Sequence, residues 1–508
     1  MAQGSISELG SALSYQYLSA LGYVLSGGLF YVFIAKFLPT YYVGAIALLL
    51  AISSLLNILF SFGFPISAQH FVSFNMGRGD ITETHSLTMR LIAISVVLSL
   101  ASIIFTLAAS KPLAVLFFHN PMDASLINAA SIYIAFGIIF GILHGTTLGL
   151  QKFRADALIY LSSASFSYFL GLAMLFVFHS LLYLVIGLTM SYFYGAILYI
   201  VVIYRSKPAA LGKTRKTTLQ LIFSYSWPLI LSNLAGYGSQ YVDRFVVAYF
   251  LNISTLGIYN FVLIVSSSFA FLSGPIINIL IPKLSEYYSL DDKEKLRKGV
   301  NISSTFLILI YSPLVLGFAA VAPIALALLA TSAYLPGYIP LIILLGASSI
   351  FILWTIFGSV LSAIRKTKIY IISTSMTLIS NIVLSTLLIP RWGMVGAAIA
   401  NSSVLVFAFI ITYYYAIKKE TKSFDWATIL KLWSSSLAMF ALVTFERLEL
   451  GNALRMLPLY IVTGIIVYLT LINLTHSLSK LNKDEFLSLI PNHLKLRRIA
   501  RVVLSKAF

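Results

Sequence analysis

Between Gly299 and Ile364 the chain runs for 66 residues without a single Asp, Glu, Lys or Arg. About 20 apolar residues of helix cross a bilayer core, so this stretch holds two crossings. Inside lipid every backbone N–H and C=O needs a partner within the protein, which makes runs of this length helical. A membrane barrel would instead show short alternating segments, and none occur. Composition extends the reading to the whole chain. Of 508 residues, 59% are hydrophobic and only 10% charged, whereas a soluble domain carries about 25% charged residues. The length therefore describes one bundle of membrane helices rather than a string of globular domains.

Apolar runs between charged or turn-rich breaks place spans at about 12–36, 41–64, 88–110, 125–148, 157–178, 182–204, 221–250, 255–281, 300–322, 338–362, 369–388, 394–417, 427–445 and 454–475. The first run has no basic flank and is longer than a signal peptide, so it reads as a retained helix. No lipidation motif is present. An even number of spans puts both termini on one side. Of the 34 Lys and Arg, 28 fall on that side and 6 on the other (Lys36, Lys111, Arg244, Arg391, Arg447, Arg455). The positive-inside rule then expects both termini in the cytoplasm. Topology thereby accounts for most of the +18 net charge, with no nucleic-acid-binding module to suggest otherwise. The basic tail from 476 to 508 has an amphipathic stretch, Leu489–Phe508, suited to the anionic inner leaflet. The chain has no cysteine, hence no disulfide framework and no thiol chemistry.

An internal repeat underlies the spans. AKFLPTYYVG at 35–44 aligns without gaps with AYFLNISTLG at 248–257, pairing Ala35 with Ala248, Phe37 with Phe250, Leu38 with Leu251 and Gly44 with Gly257. The offset is 213, and give or take one residue it also aligns LGLQKFR at 148–154 with LSAIRKTK at 361–368. Six spans separate the copies, so the halves run parallel, related by an axis along the membrane normal. The expected organisation is a six-helix bundle at 1–204, a basic linker at 205–218 broken by Pro208 and Gly212, a second bundle at 219–417, two added helices at 418–475, and the tail. Two pseudo-symmetric bundles suggest alternating access, with a site between them near the midplane.

Two six-helix halves, two extra helices and a basic linker, together with FIAKFLPTYYVGAIAL (33–48), YVDRFVVAYFLNISTLGIYN (241–260) and IPKLSEYYSLDDKEKL (281–296), resemble the polysaccharide and oligosaccharide flippases of the MATE-like exporter superfamily. The resemblance covers nearly the whole chain. It implies a multi-pass plasma-membrane protein, monomeric, that moves a polyprenyl- or dolichyl-linked saccharide from the inner to the outer leaflet. It implies no cofactor, with Na+ or H+ as a possible coupling ion, and no nucleic-acid or nucleotide partner; no Walker loop is present.

Ionisable residues within spans are costly and default to functional hypotheses. If helix 7 ends near Phe250, as its repeat partner ends near Phe37, Asp243 and Arg244 lie inside it. With Asn233, Tyr237 and Gln240 they form a stripe spaced by three and four residues. A guanidinium matches phosphate geometry, so Arg244 is a candidate for the carrier's phosphate or pyrophosphate, and Asp243 for tuning it or holding a coupling cation. The alternative is a structural ion pair or snorkelling. Gln16, Asn57 and Asn260 are candidates for sugar hydroxyls or, alternatively, interhelical glue. Arg90, Lys152, Arg154 and Arg365 stand at cytoplasmic helix ends, where an anionic headgroup would arrive. No carboxylate is expected deep in the first six spans, and His144 reads as a lone packed histidine. The rival readings are a cation-coupled multidrug exporter of the same superfamily, and a membrane-embedded saccharide polymerase or glycosyltransferase. The latter needs catalytic carboxylates or a large outer domain, which the short loops do not offer.

Overall fold

The computed structural model describes Gly22 and residues 26–206, 219–364, 367–421 and 423–477. Gln16, Arg365, the linker from 207 to 218 and the tail from 478 lie outside the described residues. Among the described residues the regular elements are all helical. They are α1 (Ser26–Phe37), α2 (Thr40–Ser61), α3 (Phe64–Gly77), α4 (Ile81–Leu113), α5 (Ala124–Gly149), α6 (Phe153–Phe178), α7 (Leu181–Arg205) and α8 (Leu219–Phe250). Then follow α9 (Ile253–Ser267), α10 (Gly274–Ser289), α11 (Lys293–Ala320), α12 (Ala322–Leu329), α13 (Tyr338–Ala363), α14 (Thr367–Tyr413), α15 (Trp426–Leu450) and α16 (Leu457–Leu474). Among the described residues, eleven helices are long and apolar enough to cross a membrane. Gly393, with φ of 56° and ψ of −135°, breaks α14 in two and raises that number to twelve, which is consistent with the fourteen spans expected without confirming each one.

The side chains treat lipid as their solvent. Helix α4 buries Ser95, Ser99, Ser102, Thr106 and Ser110 and turns Val97, Leu100 and Ile104 outward. In water this pattern would be inside out. In a bilayer the aliphatic face costs nothing, and the small hydroxyls let α4 approach α5 closely. Ser99 Oγ donates across that seam to the Ala135 carbonyl at 2.8 Å. The other four hydroxyls return to carbonyls of α4 itself, so none is left unsatisfied in the apolar core.

Two sequence-expected boundaries need correction. The second span does not end near 64. Phe62 and Gly63 adopt left-handed φ of 53° and 72°, and the chain then restarts as α3 with Pro65 near its first turn. Apolar periodicity carries no signal for a two-residue break followed by more helix. The third span starts at Ile81 rather than 88, because Asp80 caps it by accepting the Glu83 N–H at 3.0 Å. The polar first turn TETH (82–85) reads as loop in sequence, yet a capped helix tolerates it. The second half repeats the device. Gly79 and Asp291 are left-handed, and Asp292 caps α11 by accepting the Lys295 N–H at 3.0 Å.

The chain divides into two compact units, Met1–Phe261 and Val262–Phe508. In the first, α5 packs against α2, α3, α4, α6 and α7, and α8 lies against α2 and α3. In the second, α11 is central, contacting α10, α13 and α15. There Arg447 is buried and ties α15 to the end of α11 by donating from Nε to the Ala320 carbonyl and from Nη1 to Asn452 Oδ1, each at 2.8 Å.

The repeat surfaces as a physical contact within the first unit. A Cβ built on Gly44 would lie 1.8 Å from the Ile253 carbonyl oxygen, and one on Gly257 would lie 2.0 Å from that of Thr40. Residues 40 and 253, like 44 and 257, are separated by the same 213 positions. The starts of α2 and α9 therefore meet reciprocally, and only glycine permits so close a backbone approach.

Candidate functional site

Helix α8 runs unbroken to Phe250, so Asp243 and Arg244 lie within it, about 10 Å from its end at 1.5 Å per residue. The two side chains are held from different directions. Asp243 is fully buried. Its carboxylate accepts the Tyr259 hydroxyl of α9 at 2.8 Å and the backbone N–H of Arg244 at 2.8 Å. Buried carboxylates need such donors to persist.

Arg244 is half-buried. Its guanidinium lies over the Tyr241 ring, 4.2 Å from the centroid. Tyr241 in turn stacks on Tyr237 with centroids 4.5 Å apart and planes 10° apart, and the Tyr237 hydroxyl donates to the Ala51 carbonyl of α2. The result is a column of Tyr237, Tyr241 and Arg244 along one side of α8, anchored to α2 at its far end. Cation–π contact orients a guanidinium without consuming its N–H donors. Arg244 Nε is buried and has no hydrogen-bond partner among the described residues.

The remaining candidates separate. Asn260 is buried, and its amide nitrogen has no partner among the described residues. Asn233 is half-buried and Gln240 exposed on α8. Asn57 packs its amide against Gly137 of α5, 2.7 Å from where a Cβ there would stand, in the manner of interhelical glue. At the basic helix ends, Lys152 and Arg154 are exposed. Arg90 is ion-paired with the buried Glu83 and bonded to the Ser86 carbonyl. The sequence reading passed over Tyr241 and Tyr259. Tyr259 lay in the quoted LGIYN motif, where a donor sixteen residues from Asp243 is visible only once α8 and α9 are folded together. It also passed over a buried cluster at the other end of the first unit: His144, expected to be alone, bonds Asp156. Among the described residues no group of three or more His, Asp or Glu is placed to hold a metal ion.

Among the described residues, apolar helices long enough to cross a bilayer, with hydroxyls buried and aliphatic side chains outside, mark a multi-pass membrane protein. A family model for polysaccharide biosynthesis proteins matches residues 33–338, and the chain belongs to that family. A probable low-salt glycan biosynthesis flippase of Haloferax volcanii, Agl15, is 23% identical over 53% of this chain and 57% of its own length; the chain thus spans little more than half of that relative. Among solved structures, the lipid II flippase MurJ in an inward closed conformation is similar with a TM-score of 0.74 at 17% identity, covering 91% of this chain and 98% of that one. An inward-facing multidrug resistance MATE family transporter of the MOP superfamily gives 0.66 at 12% identity, covering 78% and 94%. The chain therefore shares its fold with these two transporters.

Proposed function

We propose that this chain is a flippase that carries a lipid-linked saccharide from the inner to the outer leaflet by alternating access. Family membership, the glycan-flippase relative and the lipid-flippase fold support the reading. The observation that carries it is Arg244, a guanidinium held on a tyrosine column inside a span with a donor to spare. That is chemistry for the phosphate of a prenyl carrier, and the unpartnered Asn260 amide suits a sugar hydroxyl. Asp243, already engaged by Tyr259, positions α8 against α9. The excess of Lys and Arg on one side supports cytoplasmic termini, and the flippase reading sets the protein in the plasma membrane. It acts as a monomer, without nucleotide and without covalent catalysis.

The test is flipping of a synthetic prenyl-diphosphate-linked disaccharide in proteoliposomes. Wild-type protein flips it, and Arg244→Ala lowers the rate about tenfold or more at equal reconstitution, because charge and bidentate geometry are lost together. Wild-type flux in Arg244→Ala removes the assignment. The multidrug reading is favoured only by the likeness to the MATE transporter; export of small cationic dyes with no flipping would replace the proposal with it.

A further inference from the structure

The open side of α3 is built unlike a lipid-facing surface. Between residues 93 and 108 the exposed positions of α4 are all Ala, Val, Leu, Ile or Phe. On α3 and its C-cap the exposed positions are Ile66, Gln69, His70, Phe74, Gly77 and Arg78. An amide, an imidazole and a guanidinium on one stripe are costly in hydrocarbon and call for a wet or ligand-bearing face.

Three of these side chains continue a column that starts on α8. The His70 imidazole stacks on the Tyr225 ring, with centroids 4.6 Å and planes 10° apart. One turn further along α3, the Phe74 ring lies 21° from parallel to the imidazole, with 6.3 Å between centroids. One turn beyond that, the Arg78 guanidinium lies over Phe74, 4.2 Å from the centroid. A buried bond holds the two helices in this register: Ser67 Oγ is 2.6 Å from Ser226 Oγ, next to Tyr225. Among the described residues, the side-chain polar atoms of Gln69, His70, Arg78 and Tyr225 make no hydrogen bond or ion pair.

Two comparisons within the chain bear on what the column is for. The first is with Arg244, which also lies 4.2 Å over a ring whose own neighbour is 10° from parallel. Tyr225 precedes Arg244 by 19 residues on α8. That is about 28 Å of helix at 1.5 Å per residue, close to the thickness of a bilayer core at about 30 Å. The second comparison is with the other half of the repeat. Asp80 and Asp292 cap matching helices. Counted back from those caps, the second half has Pro282, Glu286 and Leu290 where the first has His70, Phe74 and Arg78. The repeated fold is therefore built once without the column, and packing does not require it.

We propose that this column is a receiving site for the sugar-diphosphate headgroup of a lipid-linked saccharide, on the side where the basic loops lie and ahead of Arg244. The inference rests on the transport reading above. Arg78 is oriented by Phe74 while its N–H donors stay available, and a guanidinium matches a diphosphate in charge and shape. The Gln69 amide and the neutral His70 imidazole each offer a donor and an acceptor, which is what a sugar hydroxyl needs. The aromatic rings between them give the C–H face of a pyranose an apolar, electron-rich surface. An anionic phospholipid would engage Arg78 and leave Gln69 and His70 unused. A plain interfacial belt would need the rings alone.

The test uses the absence of cysteine from the chain. Gly77 lies on the same exposed stripe, and nothing stands within 4 Å of a carbon added there. Gly77→Cys carrying an environment-sensitive fluorophore reports the arrival of a ligand with no need for transport. The full chain in proteoliposomes is titrated with the prenyl-diphosphate disaccharide, with the same prenyl diphosphate lacking sugar, and with phosphatidylglycerol. The expected response saturates, and its half-saturating density is about threefold or more lower with the sugar than without it. His70→Leu removes that preference. Arg78→Gln raises the half-saturating density of both diphosphates about tenfold, and Arg78→Lys falls between it and wild type. In the flipping assay the Arg78→Gln defect is overcome by raising the substrate density, as loss of a binding contact requires.

Equal responses to the two diphosphates, a response to phosphatidylglycerol as strong as to the disaccharide, or unchanged titrations in His70→Leu and Arg78→Gln each overturn the inference. So does a flipping defect in Arg78→Gln that persists at saturating substrate. If the label responds as expected and nothing flips under any condition, the receiving site stands and the transport reading fails.

Discussion

Arg244 and Asp243 are neighbours in sequence and opposites in setting. The acid is sealed against Tyr259, and the base lies on an aromatic column with an unused donor. At Asp243 the Tyr259 hydroxyl donates beside the Arg244 backbone N–H. Tyr259→Phe leaves the buried carboxylate short of a donor, which costs about 1–3 kcal/mol; a lowered midpoint in thermal unfolding of the detergent-purified protein reads it out, and an unchanged midpoint would show that other donors suffice. At Arg244 the shape of the cation matters as well as its charge. Arg244→Lys keeps the charge but loses the planar stacking and the fork, so it restores only a small part of the flipping lost in Arg244→Ala; full recovery would reduce the residue to a point charge. Asp243 and Arg244 were legible in the sequence because charge inside an apolar span stands out. Tyr241 and Tyr259 were not, because tyrosines are common throughout this chain, 30 in all, and only contact distinguishes the two that matter.

The helices show which local rules survive in lipid. Caps do: Asp80 and Asp292 start α4 and α11 in the same way, each preceded by a left-handed residue. Water-based amphipathicity does not, as the buried serines of α4 show. The crossing of α2 and α9 is the tightest consequence of the repeat. Gly44→Leu drives a side chain into the Ile253 carbonyl and costs about 1–3 kcal/mol or more. Gly28→Ala, where nothing stands within 4 Å of the added carbon, serves as the control and is tolerated. Fluorescence-detected size exclusion after a heating step compares the two; equal survival would mean that the helices part without loss. The spacing of 213 was visible in sequence as a handful of identities. That the paired glycines touch each other, rather than each packing in its own bundle, was not visible, because a repeat specifies correspondence and leaves contact open.

At the level of the whole molecule, the asymmetry of 28 against 6 basic residues makes a claim about sides of the membrane. Because the chain lacks cysteine, it is already a background for single-cysteine labelling. Met122, 81% exposed in the turn before α5, and Lys152, exposed between α5 and α6, lie at opposite ends of one helix. In intact cells an impermeant maleimide labels Met122→Cys and spares Lys152→Cys until the membrane is opened. The reverse pattern would invert the topology and, with it, the proposed direction of flipping.

By itself the sequence determined that this is a helical membrane bundle carrying an internal offset, and it pointed to one acid–base pair within a helix. Hydropathy, net charge and self-similarity are properties of the chain read in a line, and the bilayer converts them directly into structure by forbidding unpaired backbone in lipid. Only the tertiary structure decided what those features touch. His144 looked solitary and bonds the buried Asp156; the glycines at the starts of α2 and α9 meet face to face. Residues 12 or 213 positions apart meet only after packing chooses a face for each helix. Where the bilayer replaces water outside, apolar periodicity no longer says which face that is.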